Sequence, residues 1–383
     1  MADSKQMENP IVATPVLNPA FIGVTAVAVP EEYKGTFSPE YWGILTGTNK
    51  FTVRQHVKLL PKSCCTCPPC VKQENTYSVY AGVGSNAEAE FLRIDEVSDD
   101  WNRCCCSPYH PLRLEARPYV PIPGDGSSDF RHLTQDFQND FSRLTGREKQ
   151  QKLRTMYMAQ PPAFSMVRDD GMRCCYKCPC KVLNTFVCFD CCRDGMHIYA
   201  GAVEDEPDKE KGRPFNLDPS KLIGSVMQPL YGGICTPTLH LRGKGAADTD
   251  EPFGKVEGPC FFGGWSEMCC EFRFFTSLFN SKTKEGDVAM IIKKKPASLA
   301  GAAIELMSDA DVYGIEFVEG AQLTGEQKIS VLTAQLLADY MYFDGNTEKC
   351  SQDDDFIYCY LCYYSFFGAI CPCYIAIPKK MGG

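Results

Sequence analysis

The chain has 383 residues, 44% of them hydrophobic and 23% charged, a globular composition that excludes wholesale disorder. Lys plus Arg number 39 against 48 Asp plus Glu, a net charge of −9, which argues against nucleic-acid phosphate as the main partner. Cysteine is the outlier, with 23 residues gathered in clusters.

Residues 1–50 read as a proline-punctuated arm. The uncharged run 11–30 contains Pro15, Asn18 and Pro19, which interrupt any continuous apolar helix, and no strongly basic stretch precedes it. This predicts a cytosolic start, where thiols stay reduced, so the cysteines are not read as a disulfide framework. From about Tyr77 short strands dominate. The segments beginning at Tyr77, Met196 and Glu271 mix β-branched and aromatic residues in near alternation, and Gly-rich turns separate them. A weak repeat pairs the cysteines from Cys64 and the Tyr77 segment with those from Cys174 and the His197 segment. Phe130, Leu133, Phe137, Phe141 and Leu144 predict an amphipathic helix, and 204–219 and 243–252 read as charged surface loops.

Cys174, Cys175, Cys178, Cys180, Cys188, Cys191 and Cys192 form the densest thiol group. Cys175, Cys178, Cys188 and Cys191 offer four thiolates to a tetrahedral zinc, with a gap shorter than in zinc ribbons. S-acylation suits a cytosolic CC-rich cluster equally well, because several acyl chains together hold a protein at a membrane. Buried structural thiols are the third reading. Cys104 to Cys106 are a second acylation candidate.

Lys293 to Lys295 read as solvated loop or edge-strand charge. Downstream, Asp309 and Asp311 stand two apart with Gly314 at the sixth place, partly imitating a calcium loop. Gly320 stands at the twelfth place, where an acid is wanted, and Glu319 is one residue early. The competing reading is a strand over 312–318 with Tyr313, Ile315 and Phe317 inward and the acids in water. Residues 329–343 are apolar all round and predict a helix enclosed by protein. Residues 356–377 carry no charge and would span about 33 Å as a helix, enough to cross a membrane. Pro372, five Tyr and four Cys in that stretch are unusual for a lipid-facing helix and suit a lipidated interfacial tail as the second reading, with a buried core segment as the third. No HExxH, nucleophile motif or phosphate loop is present, so no enzyme is indicated.

Over about 51–343 the sequence resembles the phospholipid scramblase family. The resemblance is carried in order by Glu74-Asn-Thr-Tyr-Ser-Val-Tyr, Arg103-Cys-Cys-Cys-Ser-Pro-Tyr-His-Pro-Leu and the cluster from Cys174 to Cys192. Then come Ile223-Gly-Ser-Val-Met-Gln-Pro, Gly258-Pro-Cys260, Ser308-Asp-Ala-Asp-Val-Tyr-Gly-Ile-Glu-Phe and Leu336-Leu-Ala-Asp-Tyr-Met-Tyr-Phe343. It implies a mainly β, tubby-like fold: a closed antiparallel barrel over 51–345 around a C-terminal apolar helix at 327–343, followed by an acidic linker and hydrophobic tail at 346–383. It further implies ATP-independent, calcium-triggered movement of phospholipids between leaflets, with no catalytic group. Calcium is implied at Asp309, Asp311 and their neighbours Tyr313, Ile315, Phe317 and Glu319, and palmitoylation in the cysteine cluster. The expected partners are membrane phospholipids, with the barrel attached on the cytosolic face of a membrane, the plasma membrane first. Self-association is left open. The family carries an acid where Gly320 stands, and its cysteine run is not interrupted by Tyr176, Lys177 and Pro179.

Overall fold

The computed structural model describes residues 25–56, 74–83, 87–98, 111–118, 160–168, 193–204, 215–244, 251–279, 287–296, 311–343 and 349–379. Twelve strands close into a barrel in which every neighbouring pair is antiparallel. They are β1 (Lys50–Gln55), β2 (Thr76–Val83), β3 (Ala87–Val97), β4 (Leu112–Pro118), β5 (Phe164–Arg168) and β6 (Gly195–Ala200). The round continues through β7 (Leu222–Met227), β8 (Thr238–Arg242), β9 (Gly254–Glu257), β11 (Phe272–Leu278), β12 (Asp287–Lys293) and β13 (Val312–Phe317). A two-residue strand, β10 (Phe261–Phe262), lies off this path. Pairing of β1 with β13, Lys50 opposite Glu316 and Arg54 opposite Val312, closes the ring and leaves the barrel no open edge.

The alternation seen in the sequence sets which side chains enter. In β11, Phe272, Phe274 and Thr276 are buried while Arg273 and Phe275 face out. The strands expected at Tyr77 and Met196 are β2 and β6, which run in the same direction four places apart, so the repeated sequence marks equivalent strands. β4 and β5 are buried along their whole length, their charged side chains included. There Arg113 Nε lies 2.8 Å from Glu115, and Arg168 Nε donates to Asp194 at 2.9 Å.

Among the described residues two helices close and fill the barrel from one end. α1 (Pro39–Gly47) starts at Ser38, whose hydroxyl accepts from the Tyr41 amide, with Pro39 in the first turn where its missing N–H costs nothing. Just before and within it, Tyr33, Phe37 and Trp42 pack on one another, and Phe37 stacks on Phe164 at the start of β5. The later part of the sequence read as an arm is therefore folded into the core. α2 (Gly325–Ala338) begins with a reciprocal cap between Thr324 and Gln327. It runs through the barrel into a π-turn, Asp339–Phe343, and every residue from Lys328 to Phe343 is buried. An apolar helix with no polar face is satisfied here by β-strands on all sides. Gly325 touches the Trp42 ring, and a Cβ there would lie 2.7 Å from it.

The expected membrane-spanning tail is a correction. Residues 356–377 form a hairpin, β15 (Phe356–Phe366) and β16 (Ala369–Pro378), joined by β14 (Cys350–Gln352) and β10 into a second sheet. Its turn is Phe367-Gly368, both at positive φ (50° and 80°), the left-handed geometry that matches strand twist in a two-residue hairpin loop. Pro372 sits in the outer strand β16, where a missing N–H breaks no ladder. Aromatic and β-branched residues fit a half-buried pleated surface better than a helix. Among the described residues no helix is long and apolar enough to cross a membrane.

Candidate functional site

Strand directions give the barrel two distinct ends. α1 closes one, called here the α1 rim. At the other, β1, β12 and α2 finish, β13 begins, and the second sheet lies across the opening; this is the hairpin rim. One of the sequence-flagged acids, Asp311, enters a buried polar cluster just inside the hairpin rim.

Lys293, the last residue of β12, stands at the centre. Its Nζ lies 2.7 Å from Asp311 Oδ2 and 3.2 Å from Glu267 Oε2, and 4.1 Å above the Phe343 ring. Lys349 reaches the same Glu267 carboxylate at 3.5 Å. Tyr313 Oη, projecting inward from β13, donates to Asp339 Oδ1 at 2.6 Å and lies 3.3 Å from Asp311 Oδ2. Tyr77 Oη, from β2, donates to the other oxygen of Asp339 at 2.8 Å. One layer out, Tyr340 Oη donates to Glu96 at 2.7 Å. Strands from opposite parts of the chain and the π-turn of α2 thus share one buried polar cluster.

Burial alone would lower the Lys293 pKa, but Asp311, Glu267 and Asp339 around it outweigh that cost and hold it above the ordinary lysine value. Burial pushes the Asp311 carboxyl up, against the pull of Lys293. Burial, then the charges of Asp339 and Asp311, drive the Tyr313 phenol well above its usual range, so it stays a donor. The expectation that Lys293 is solvated surface charge is corrected: it is 2% exposed. A lysine ending a strand in a charged run carries no sign in sequence that it turns inward. Glu267, Asp339 and Tyr77 were likewise missed, because their partners lie tens to hundreds of residues away.

The expected calcium residues separate along one strand. Asp309 lies outside the described residues. Asp311 is buried against Lys293; Tyr313, Ile315 and Phe317 all point into the barrel; Glu319 is exposed beyond the far end of β13. The extended stretch from Asp311 to Phe317 alone spans about 20 Å, and Glu319 stands in the turn beyond it, too far for the two acids to share one cation. The strand reading of 312–318 agrees with the structure, except that Asp311 is buried rather than in water. Among the described residues no group of three or more His, Cys, Asp or Glu side chains could hold a metal. The cation between Asp311 and Glu267 is the Lys293 ammonium, so this donor set as built does not fit calcium. Cys174, Cys175, Cys178, Cys180, Cys188, Cys191 and Cys192, including the four zinc candidates, lie outside the described residues, as do Cys104 to Cys106 and the helix expected around Phe137.

A family model described as Scramblase matches residues 164–345, from the first residue of β5 to just past the π-turn. The matched stretch holds eight of the twelve barrel strands, α2, and the Lys293, Asp311, Tyr313 and Asp339 cluster. No curated protein and no solved structure matches the chain. With the barrel built around its own helix, and the motifs from Cys174 to Phe343 all inside that stretch, residues 164–345 belong to the phospholipid scramblase family.

Proposed function

We propose that the chain moves phospholipids between membrane leaflets without ATP, in response to calcium, as a membrane-attached protein with its barrel on the cytosolic side, at the plasma membrane first. The observation that carries this reading is the Scramblase match over 164–345. Movement of lipid makes and breaks no bond. What it requires is a lower cost for carrying a charged headgroup through hydrocarbon. The barrel interior is occupied by α2, so the lipid path in this reading runs along the outside of the protein. Attachment is by S-acylation of the cluster Cys174 to Cys192.

Calcium dependence rests on the resemblance of residues 308–317 to the family segment, not on the described carboxylates. Asp311 is therefore a poor site for testing it: Asp311→Ala strips Lys293 of a buried partner and destabilises the fold whatever calcium does. The test is loss of leaflet asymmetry of labelled phosphatidylserine in proteoliposomes, with and without calcium, for the wild type and Asp309→Ala. A calcium-dependent rate that Asp309→Ala abolishes is expected.

One observation favours a second reading: a barrel plugged by its own helix offers no lumen for lipid. In that reading the protein is a membrane-tethered lipid-binding module without autonomous scrambling. Vesicle binding by folded protein without leaflet exchange would select it.

A further inference from the structure

Every cysteine of the chain falls in β14, β15 or β16, or in a connection whose two ends lie on the hairpin rim. The connections β1–β2, β3–β4 and β5–β6 begin and end on the hairpin rim and carry every cysteine up to Cys192. Cys235 follows in β7–β8, then Cys260, Cys269 and Cys270 between β9 and β11, at the same rim. The remaining five are in β14, β15 and β16, which lie across it. Residues 1–49, the barrel strands and the connections on the α1 rim hold none.

The hairpin adds an apolar surface to the thiol-bearing end. Its outward face presents Ile357, Tyr364, Phe366, Ile375 and Ile377, each more than a third exposed, and Phe261 of β10 extends it beside Tyr364. Cys359, Cys362, Cys371 and Cys373 lie among them, paired across the strands as Cys359 with Ile375 and Cys362 with Cys373. No charged side chain occurs between Phe356 and Pro378. Trp265, 40% exposed, and Leu230, Tyr231 and Ile234 continue the apolar surface around the rim.

We propose that this outward face of the β15–β16 hairpin is the surface that rests on a lipid bilayer, seated at the boundary between headgroups and acyl chains. The proposal deepens the lipid-handling reading above and rests on it. Aromatic side chains with one polar end favour that boundary, and apolar faces bind it in proportion to buried area. One acyl chain alone gives only marginal attachment, so a second element on the same side is what stable docking needs. Edge-to-edge pairing with a second copy is the competing occupant, and Pro372 in the free strand blunts it.

The test uses full-length chain without acyl groups and vesicles of phosphatidylcholine and phosphatidylserine. Brominated acyl chains in those vesicles are expected to quench tryptophan emission. Ile375→Glu/Ile377→Glu should lower the vesicle partition coefficient about tenfold or more, whereas Val318→Glu, exposed at the α1 rim, should leave it unchanged. Leu361→Glu, also exposed on β15, is the second variant should the first fail to fold, each being checked by its thermal transition. Wild-type partition in a folded hairpin variant would overturn the proposal, as would equal loss in Val318→Glu. A lipid-free dimer that the hairpin variants dissolve, with partition unchanged, would also overturn it and assign the face to a second copy. Binding and quenching without leaflet exchange would leave the docking face standing and remove only the scrambling activity.

Discussion

Lys293 and Lys328 are both buried lysines, and their surroundings give them opposite behaviour. Lys293 has carboxylates on two sides, so removing its charge leaves Asp311 and Glu267 buried with too little compensation. Lys293→Met is expected to cost about 3–5 kcal/mol in urea unfolding, and Lys293→Met/Asp311→Leu to recover much of it. An unchanged midpoint for Lys293→Met would show that the pair is not held in the core. Lys328 has no carboxylate among its named partners: its ammonium donates to the Thr46 and Thr48 carbonyls at 2.7 and 2.6 Å, ending α1, and lies 4.9 Å above the Phe317 ring. Burial lowers its pKa to about 8 from the unfolded value of 10.5. The folded chain then binds fewer protons than the unfolded chain between those values. The cost of keeping Lys328 charged is fully present below about pH 8 and is relieved as pH rises towards 10.5. Stability measured from pH 7.5 to 10 should thus carry a rising contribution that Lys328→Met lacks.

At the scale of elements, the hairpin and α2 depend on different physics. The hairpin is anchored by backbone approach: Gly232, at φ 60°, packs directly on Gly368 of the turn, and the Phe367 amide donates to the Ile234 carbonyl at 2.7 Å. Gly232→Ala meets both a left-handed backbone and the Gly368 backbone, and should cost about 1–3 kcal/mol locally. Faster amide exchange over 369–378, with the barrel strands unchanged, is the expected readout. α2 carries an opposite flaw. The Gln335 side-chain amide is fully buried in the barrel with no hydrogen-bond partner among the described residues. Gln335→Leu keeps the volume and removes the desolvated amide, so it should stabilise by about 1–3 kcal/mol in the same unfolding assay. A lower melting temperature would mean that the amide is in fact satisfied.

Across the whole molecule, a helix that enters at one rim and ends at the other ties both rims to one core. Trp42 of α1 packs on Tyr33, on Phe37 and against Gly325, where α2 begins. Trp42→Ala should therefore lower the stability of the entire barrel by about 3–5 kcal/mol, in one cooperative transition seen alike by far-UV and near-UV signals. Two separate transitions would show that α1 is an appendage. The same geometry fixes the polarity of the molecule. With twelve antiparallel strands, successive connections alternate between rims, and the cysteine-bearing ones all fall on the hairpin side.

Much of the barrel was legible in the sequence because its information is local. Alternation in the Tyr77, Met196 and Glu271 segments marks strands, and an apolar stretch too short to cross a membrane, from Ile329 to Phe343, marks a helix that protein must enclose. The family motifs are local strings as well. The tertiary structure alone decided the rest, because those outcomes depend on distant partners. Lys293 looks like surface charge until Glu267 and Asp311 close on it. The uncharged stretch at 356–377 satisfies a length rule for a spanning helix, yet its strands pair with β10 and β14 and its turn docks on Gly232. Which rim the cysteine-bearing connections leave and rejoin follows from strand direction, a property that no stretch of sequence carries until the sheet has closed.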